Sequence, residues 1–115
     1  YKRQIYNMAA MANPAAEMHI CEGEFDSMIL EQCGWPAVAL PGATSWQTFW
    51  TKFFEGYDHI YIWSDPDKAG DQMAQTLQTA LPQATRVPLT VGDVTDTYLQ
   101  AGKTGLTQAL DTVLQ

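Results

Sequence analysis

The sequence predicts an α/β fold: a three-layer, doubly wound, Rossmann-like domain on a four-stranded, mainly parallel sheet of order 2-1-3-4. Three observations carry this expectation. Short apolar runs alternate with helical patterns three times along the chain; one of those runs is apolar on both sides; another contains a proline.

The first run, Glu17–Cys21, reads as a strand, and Glu24–Cys33 follows as a helix with Phe25, Met28, Ile29 and Cys33 as its apolar stripe. Gly34 and Pro36 stop that helix. Ala37–Leu40 is the second strand. Ser45 can cap a second helix over Ser45–Phe54, striped by Trp46, Phe49, Trp50, Phe53 and Phe54. The third strand, Asp58–Ser64, alternates Ile60 and Ile62 with Tyr61 and Trp63, so both faces are covered and it belongs mid-sheet. Met73, Leu77 and Leu81 stripe the third helix. Thr85–Leu89 carries Pro88, which cannot donate to a ladder, and so belongs at an edge. Thr104–Leu114 closes the fold as a helix with Leu106, Ala109, Leu110, Val113 and Leu114 on one face.

The expected organisation is a lead-in over residues 1–15 and one domain over 16–115, a fitting size for a single core. The chain opens on Tyr1, so it is expected to be a piece of a longer protein. No apolar run approaches the roughly 20 residues of a membrane helix, and the opening shows no basic-then-apolar leader, so no membrane partner is expected. Six Lys and Arg against 13 Asp and Glu leave a net charge of −7. A stand-alone nucleic-acid binder needs a basic surplus, so positive charge must come from metal ions or neighbouring domains. Cys21 and Cys33 lack companions at zinc spacing and read as buried, reduced thiols of a cytoplasmic protein. His19 and His59, in or beside strands, read as structural, and the aromatic stripe of the second helix reads as core rather than as a base-stacking surface.

In a doubly wound sheet the ligand crevice lies beyond the carboxyl ends of the strands, where the winding reverses. Those ends are acidic here. Strand one runs into Glu22, Gly23, Glu24 and Asp26, strand three into Asp65-Pro66-Asp67, and strand four is followed by Asp93 and Asp96, so these loops hold seven of the thirteen carboxylates. Converging carboxylates raise one another's pKa, and a divalent cation relieves the repulsion. Oxygen ligands without a histidine or thiolate cluster suit Mg²⁺ or Mn²⁺, and a phosphate-bearing substrate. Two such ions about 4 Å apart would clamp the attacking and leaving oxygens of phosphoryl transfer. Gly23 is expected to let the chain turn sharply and leave Glu22 at the strand tip, with Asp26 one helical turn on. Asp65 is expected to cap the third helix with Pro66 at its first position, and Gly70 to allow close packing behind the pair. Lys68, in the same turn, is a candidate phosphate contact. Capping accounts for one acid per helix start, but not for Glu22 ahead of its turn or for the doubled Asp65 and Asp67.

At these residues the sequence resembles the Toprim domain, shared by DnaG-type primases, type IA and type II topoisomerases, and certain nucleases and recombination proteins. The match is Glu22-Gly23-x-x-Asp26 after one hydrophobic strand and Asp65-x-Asp67-x-x-Gly70 after another. The wording of His19–Asp26, Pro41–Thr44, Asp65–Gly70 and Gly92–Leu99 is similar to primases of phages and other mobile elements, including primase-helicases, and Ile5–Met8 resembles a short element that precedes the domain there. The resemblance makes 16–115 the Toprim domain. It implies catalytic roles for Glu22, Asp65 and Asp67: Glu22 as general acid/base or metal-positioning group, Asp65 and Asp67 as paired metal ligands. Asp93 is implied as a further ligand, with Asp26 and Asp96 as supporting acids and Mg²⁺ or Mn²⁺ as cofactor. It also implies a DNA primase, a nucleotidyltransferase making RNA primers from NTPs on a single-stranded DNA template in a bacterial or phage-infected cytoplasm. The partners implied are a basic RNA-polymerase subdomain and a helicase domain, and the isolated domain would be weak or inactive. Toprim-type DNA cleavage, as in nucleases and topoisomerases, and a non-catalytic joint to a helicase are the alternatives; a phosphoacceptor receiver domain fits less well, lacking Asp-x-Asp after strand three. The chain departs from many relatives in having Gly92 and Phe25 where they carry lysines.

Overall fold

Four parallel strands, β1 (Glu17–Cys21), β2 (Ala37–Ala39), β3 (His59–Trp63) and β4 (Ala84–Arg86), pair in the order β2-β1-β3-β4. A computed structural model describes residues 17–40, 51–90 and 92–114. The expected lead-in, the loop Pro41–Thr44, the helix start at Ser45, the stripe residues Trp46, Phe49 and Trp50, and the side chain of Phe53 lie outside these.

The sheet order is the expected one, and β3 is central because its alternating side chains are apolar on both faces. Ile60 and Ile62 join Met18, Ile20, Val38 and Leu40 on one side, where Phe54 of α2 (Thr51–Phe54) and Met73, Ala74 and Leu77 of α3 (Lys68–Ala80) cover them. Tyr61 and Trp63 join Cys21, Ala37 and Ala39 on the other, under Leu30 of α1 (Glu24–Gln32) and Leu106 and Leu110 of α4 (Val94–Leu114). Helices on both faces of a parallel sheet complete the three layers. Cys21 and Cys33 are free and buried, as expected. His19 is buried against Trp35 and Tyr61, and its Nδ1 accepts the Trp63 indole N–H at 2.8 Å. Burial lowers its pKa to about 3, so it is a neutral core residue.

Three elements differ from expectation. The expected stripe of α1 is only half in the core: Ile29 and Cys33 pack against it, but Phe25 is 74% and Met28 43% exposed, while Asp26, Ser27 and Leu30 are buried. The apolar spacing was real, but the neighbouring helix presents a polar partner for Asp26. Strand β4 ends at Arg86, so Pro88 follows the strand instead of sitting in it. The last N–H to reach β3 is that of Val87, which donates to the Ile62 carbonyl at 2.8 Å. The final helix starts ten residues early, at Val94, and breaks at Gly102 (φ 64°, ψ −162°), so the residues from Thr104 onward are its second half. Among the described residues no helix is long and apolar enough to cross a membrane.

Candidate metal centre

Register places the acids. Cys21 of β1 lies opposite Trp63 of β3, so the residues that follow each strand, Glu22 and then Ser64-Asp65, emerge side by side at the carboxyl edge of the sheet. The Asp65 N–H donates to Glu22 Oε2 at 3.2 Å. The two carboxyl groups are themselves within hydrogen-bonding reach, and burial, the Glu22 charge, and then Asp93 and Asp67 push the Asp65 carboxyl up to about 7. Its Oδ1 is buried and has no hydrogen-bond partner among the described residues. A cleft of about 390 Å³ opens here, lined by Glu22, Glu24, Asp26, Asp65, Asp93 and Asp96, with Gly23, Phe25 and Thr95.

The remaining acids are partly committed to local structure. Asp67, not Asp65, caps α3: its Oδ1 accepts the Gly70 N–H at 2.7 Å, and Lys68 is the first helical residue. The expected cap was two residues too early, since Pro66 stands ahead of the helix. Asp93 and Asp96 form a reciprocal cap at the start of α4, Asp93 Oδ1 accepting from the Asp96 N–H at 2.8 Å and Asp96 Oδ2 from the Asp93 N–H at 3.3 Å. Asp26 is buried, and its Oδ1 accepts from the backbone N–H (3.0 Å) and hydroxyl (2.6 Å) of Thr95. Desolvation raises its pKa, against the pull of the Thr95 bonds. It therefore fastens the loop of Asp93 beside that of Glu22.

The three glycines of the acid loops differ in what they permit. Gly23 has an extended backbone (φ −112°, ψ 151°) open to any residue, so the strand-to-helix turn does not depend on it, contrary to expectation. Gly70 packs as expected: a Cβ there would stand 1.9 Å from the Asp65 carbonyl oxygen. Gly92 has φ +132°, and a Cβ would meet Asp96 Oδ2 at 2.2 Å. A side chain at that position would strain the backbone and displace the Asp96 carboxylate from the reciprocal cap.

A divalent cation fits this donor set. An unpartnered buried carboxylate oxygen faces a second carboxylate, and among the described residues no Lys, Arg or His side chain lines the cleft. Lys68 is exposed at the start of α3, away from the lining. No group of three His, Cys, Asp or Glu among the described residues is gathered tightly enough to enclose an ion alone. Among the described residues the lining itself offers carboxylate oxygens and neither thiol nor imidazole, the hard donor type that suits Mg²⁺ with its waters and a substrate phosphate better than a structural zinc.

Sequence reasoning missed Thr95 and Arg86. Thr95 sits between two marked acids, and its signal was a hydroxyl in the first turn of a helix. Arg86, one of two arginines in the chain, ends an edge strand on the crevice side of the sheet.

A parallel 2-1-3-4 sheet carrying a glutamate beyond its first strand and Asp-x-Asp beyond its third defines a Toprim-type domain. The chain belongs to the Toprim-like family, which matches residues 19–97. It is 34% identical over 110 residues to the "Gene 57 protein" of Mycobacterium phage D29, covering 95% of this chain and 72% of that protein. Its fold is similar to the primase fragment of the bacteriophage T7 primase-helicase protein (TM-score 0.74, 22% identity, 84% of this chain and 44% of that one). It is also similar to the DnaG primase catalytic domain bound to ssDNA (TM-score 0.73, 27% identity, 96% of this chain and 38% of that one). The chain spans less than half the length of either primase structure.

Proposed function

We propose that this domain is the metal-holding part of a DNA primase, carrying out nucleotidyl transfer for RNA primer synthesis on single-stranded DNA. The observation that carries the reading is the meeting of Glu22 and Asp65 at the sheet edge, with an Asp65 oxygen buried and unpartnered. Glu22, Asp65 and Asp67 are the catalytic carboxylates of this reading, and with Asp93 they hold the ions; Asp26 and Asp96 support them. Bound Mg²⁺ or Mn²⁺ would polarise the phosphoryl oxygens and neutralise developing charge. Glu22, at the strand tip, takes the proton from the attacking hydroxyl or orients the group that does. The carboxylates exclude a bare phosphate from the cleft, so nucleotide enters with its cation. Lys68, on the α3 side of the acids, contacts phosphate from outside the cleft.

A net charge of −7 supplies no grip on template. A basic RNA-polymerase subdomain, and a helicase domain in the same chain or a partner, provide it, in the cytoplasm of a bacterial or phage-infected cell. In the full-length parent, Glu22→Gln or Asp67→Ala abolishes primer synthesis while the domain stays folded by circular dichroism. Priming at the wild-type rate by either variant removes the assignment. Metal-dependent nicking of DNA by this chain without nucleotides would reassign it to the nuclease branch of the family.

A further inference from the structure

Asp65 is held by its backbone from three directions. Its N–H donates to Glu22 Oε2 at 3.2 Å. Its carbonyl oxygen lies so close over Gly70 that no Cβ fits between them. The same carbonyl accepts a hydrogen bond from Arg86 Nη2 at 2.7 Å, while Arg86 Nη1 pairs with Asp71 in the first turn of α3. One guanidinium thus bridges the end of β4, the turn after β3 and the start of α3.

We infer that Arg86 is the positioning residue of this site, its forked guanidinium fixing the Asp65 turn so that the Asp65 and Glu22 carboxyls face each other. Where its charge goes supports this. A cation this near would ordinarily quench an acid, yet Arg86 spends its charge on Asp71 and addresses only the Asp65 carbonyl. The Asp65 carboxylate keeps its unpartnered oxygen. The planar fork is what permits both contacts at once, and lysine, a point charge on a flexible stem, can hold only one of them well. Gln83, at the opposite end of β4, instead donates to the carbonyls of Phe54 and Tyr57, so the grip on the site is confined to the Arg86 end.

The positioning role is separable from the metal-holding reading on which its functional value rests. Residue-resolved amide hydrogen exchange on the 115-residue chain reads it without metal. In Arg86→Gln the Asp65 N–H, bonded to Glu22, is expected to exchange at least tenfold faster, with the amides inside α3 unchanged. Arg86→Lys is expected to fall between Gln and wild type. Wild-type protection of the Asp65 amide in a folded Arg86→Gln overturns the inference; should that variant fail to fold, wild-type protection in Arg86→Lys does so. Mn²⁺ titration followed by electron paramagnetic resonance adds the consequence: about a tenfold weaker affinity in Arg86→Gln, the usual scale for loss of an outer-shell contact. Failure of the wild-type chain to bind Mn²⁺ would remove the metal reading, while the exchange result still decides the role of Arg86.

Discussion

Glu22 receives the backbone N–H of Asp65 on its own carboxylate, at 3.2 Å and across 43 positions of sequence. The bond aligns two side chains that repel each other. Such an arrangement is costly for the protein when both groups are ionised, and a cation beside the pair, as proposed, would relieve the cost.

Asp65→Asn should therefore stabilise the metal-free chain at pH 8 by about 1 kcal/mol, within the usual gain from relieving a strained functional site. The same variant should lose Mn²⁺ binding. Thermal melts in the presence of a chelator, paired with Mn²⁺ titration, check both halves. A variant that is both less stable and fully able to bind Mn²⁺ contradicts the account.

The pH dependence follows from the raised carboxyl of Asp65, near 7 in the fold against 3.8 when unfolded. Between these values the folded chain holds a proton that the unfolded chain has released, so stability from this group is greatest below pH 4 and declines as pH rises through 7. Metal competes with that proton, and affinity should fall roughly tenfold per pH unit below 7. Mn²⁺ should accordingly raise the melting temperature far more at pH 8 than at pH 5. Equal shifts at both would show that Asp65 is not a ligand.

Gly70→Ala forces a methyl group against the Asp65 carbonyl, which is backbone and cannot swing away. A loss of about 3 kcal/mol is expected, at the severe end for a single substitution. Urea denaturation measures it, and a cost under 1 kcal/mol would mean that the α3 start readily shifts.

Asp26→Ala strands the Thr95 N–H and hydroxyl, the bonds by which α1 holds the α4 loop. The expected loss is about 2–3 kcal/mol. Thr95→Val, which removes only the hydroxyl bond, should cost less. If Asp26→Ala leaves stability unchanged yet ends Mn²⁺ binding, Asp26 is a ligand rather than a fastener.

Much of the fold is written in local pattern. The apolar alternation of Ile60–Trp63 marks a central strand from the side chains alone, and Pro88 marks the chain's exit from the sheet edge. The acids at Glu22 and Asp65 are legible for the same reason, because a parallel sheet gathers the carboxyl ends of all its strands on one side. What local pattern misjudged were the choices between equivalent groups. Asp65 and Asp67 are equally good caps on paper, and Pro66 seemed to favour the first, but the Gly70 N–H lies within reach of Asp67. On α1 the apolar positions Phe25 and Met28 outbid Asp26 and Ser27 in any count of hydrophobicity, yet the latter are buried.

By itself, then, the sequence determined the strands, their order and the edge at which the acids collect, since these depend on spacing and side-chain type within short windows. Only the tertiary structure decided which acid meets which. Thr95 claims Asp26 from 69 residues away, Arg86 grips the Asp65 carbonyl across 21, and Glu22 and Asp65 are left to face each other. Those pairings are set by which distant groups the packed sheet and helices bring within hydrogen-bonding distance, a choice with no counterpart in the local chain.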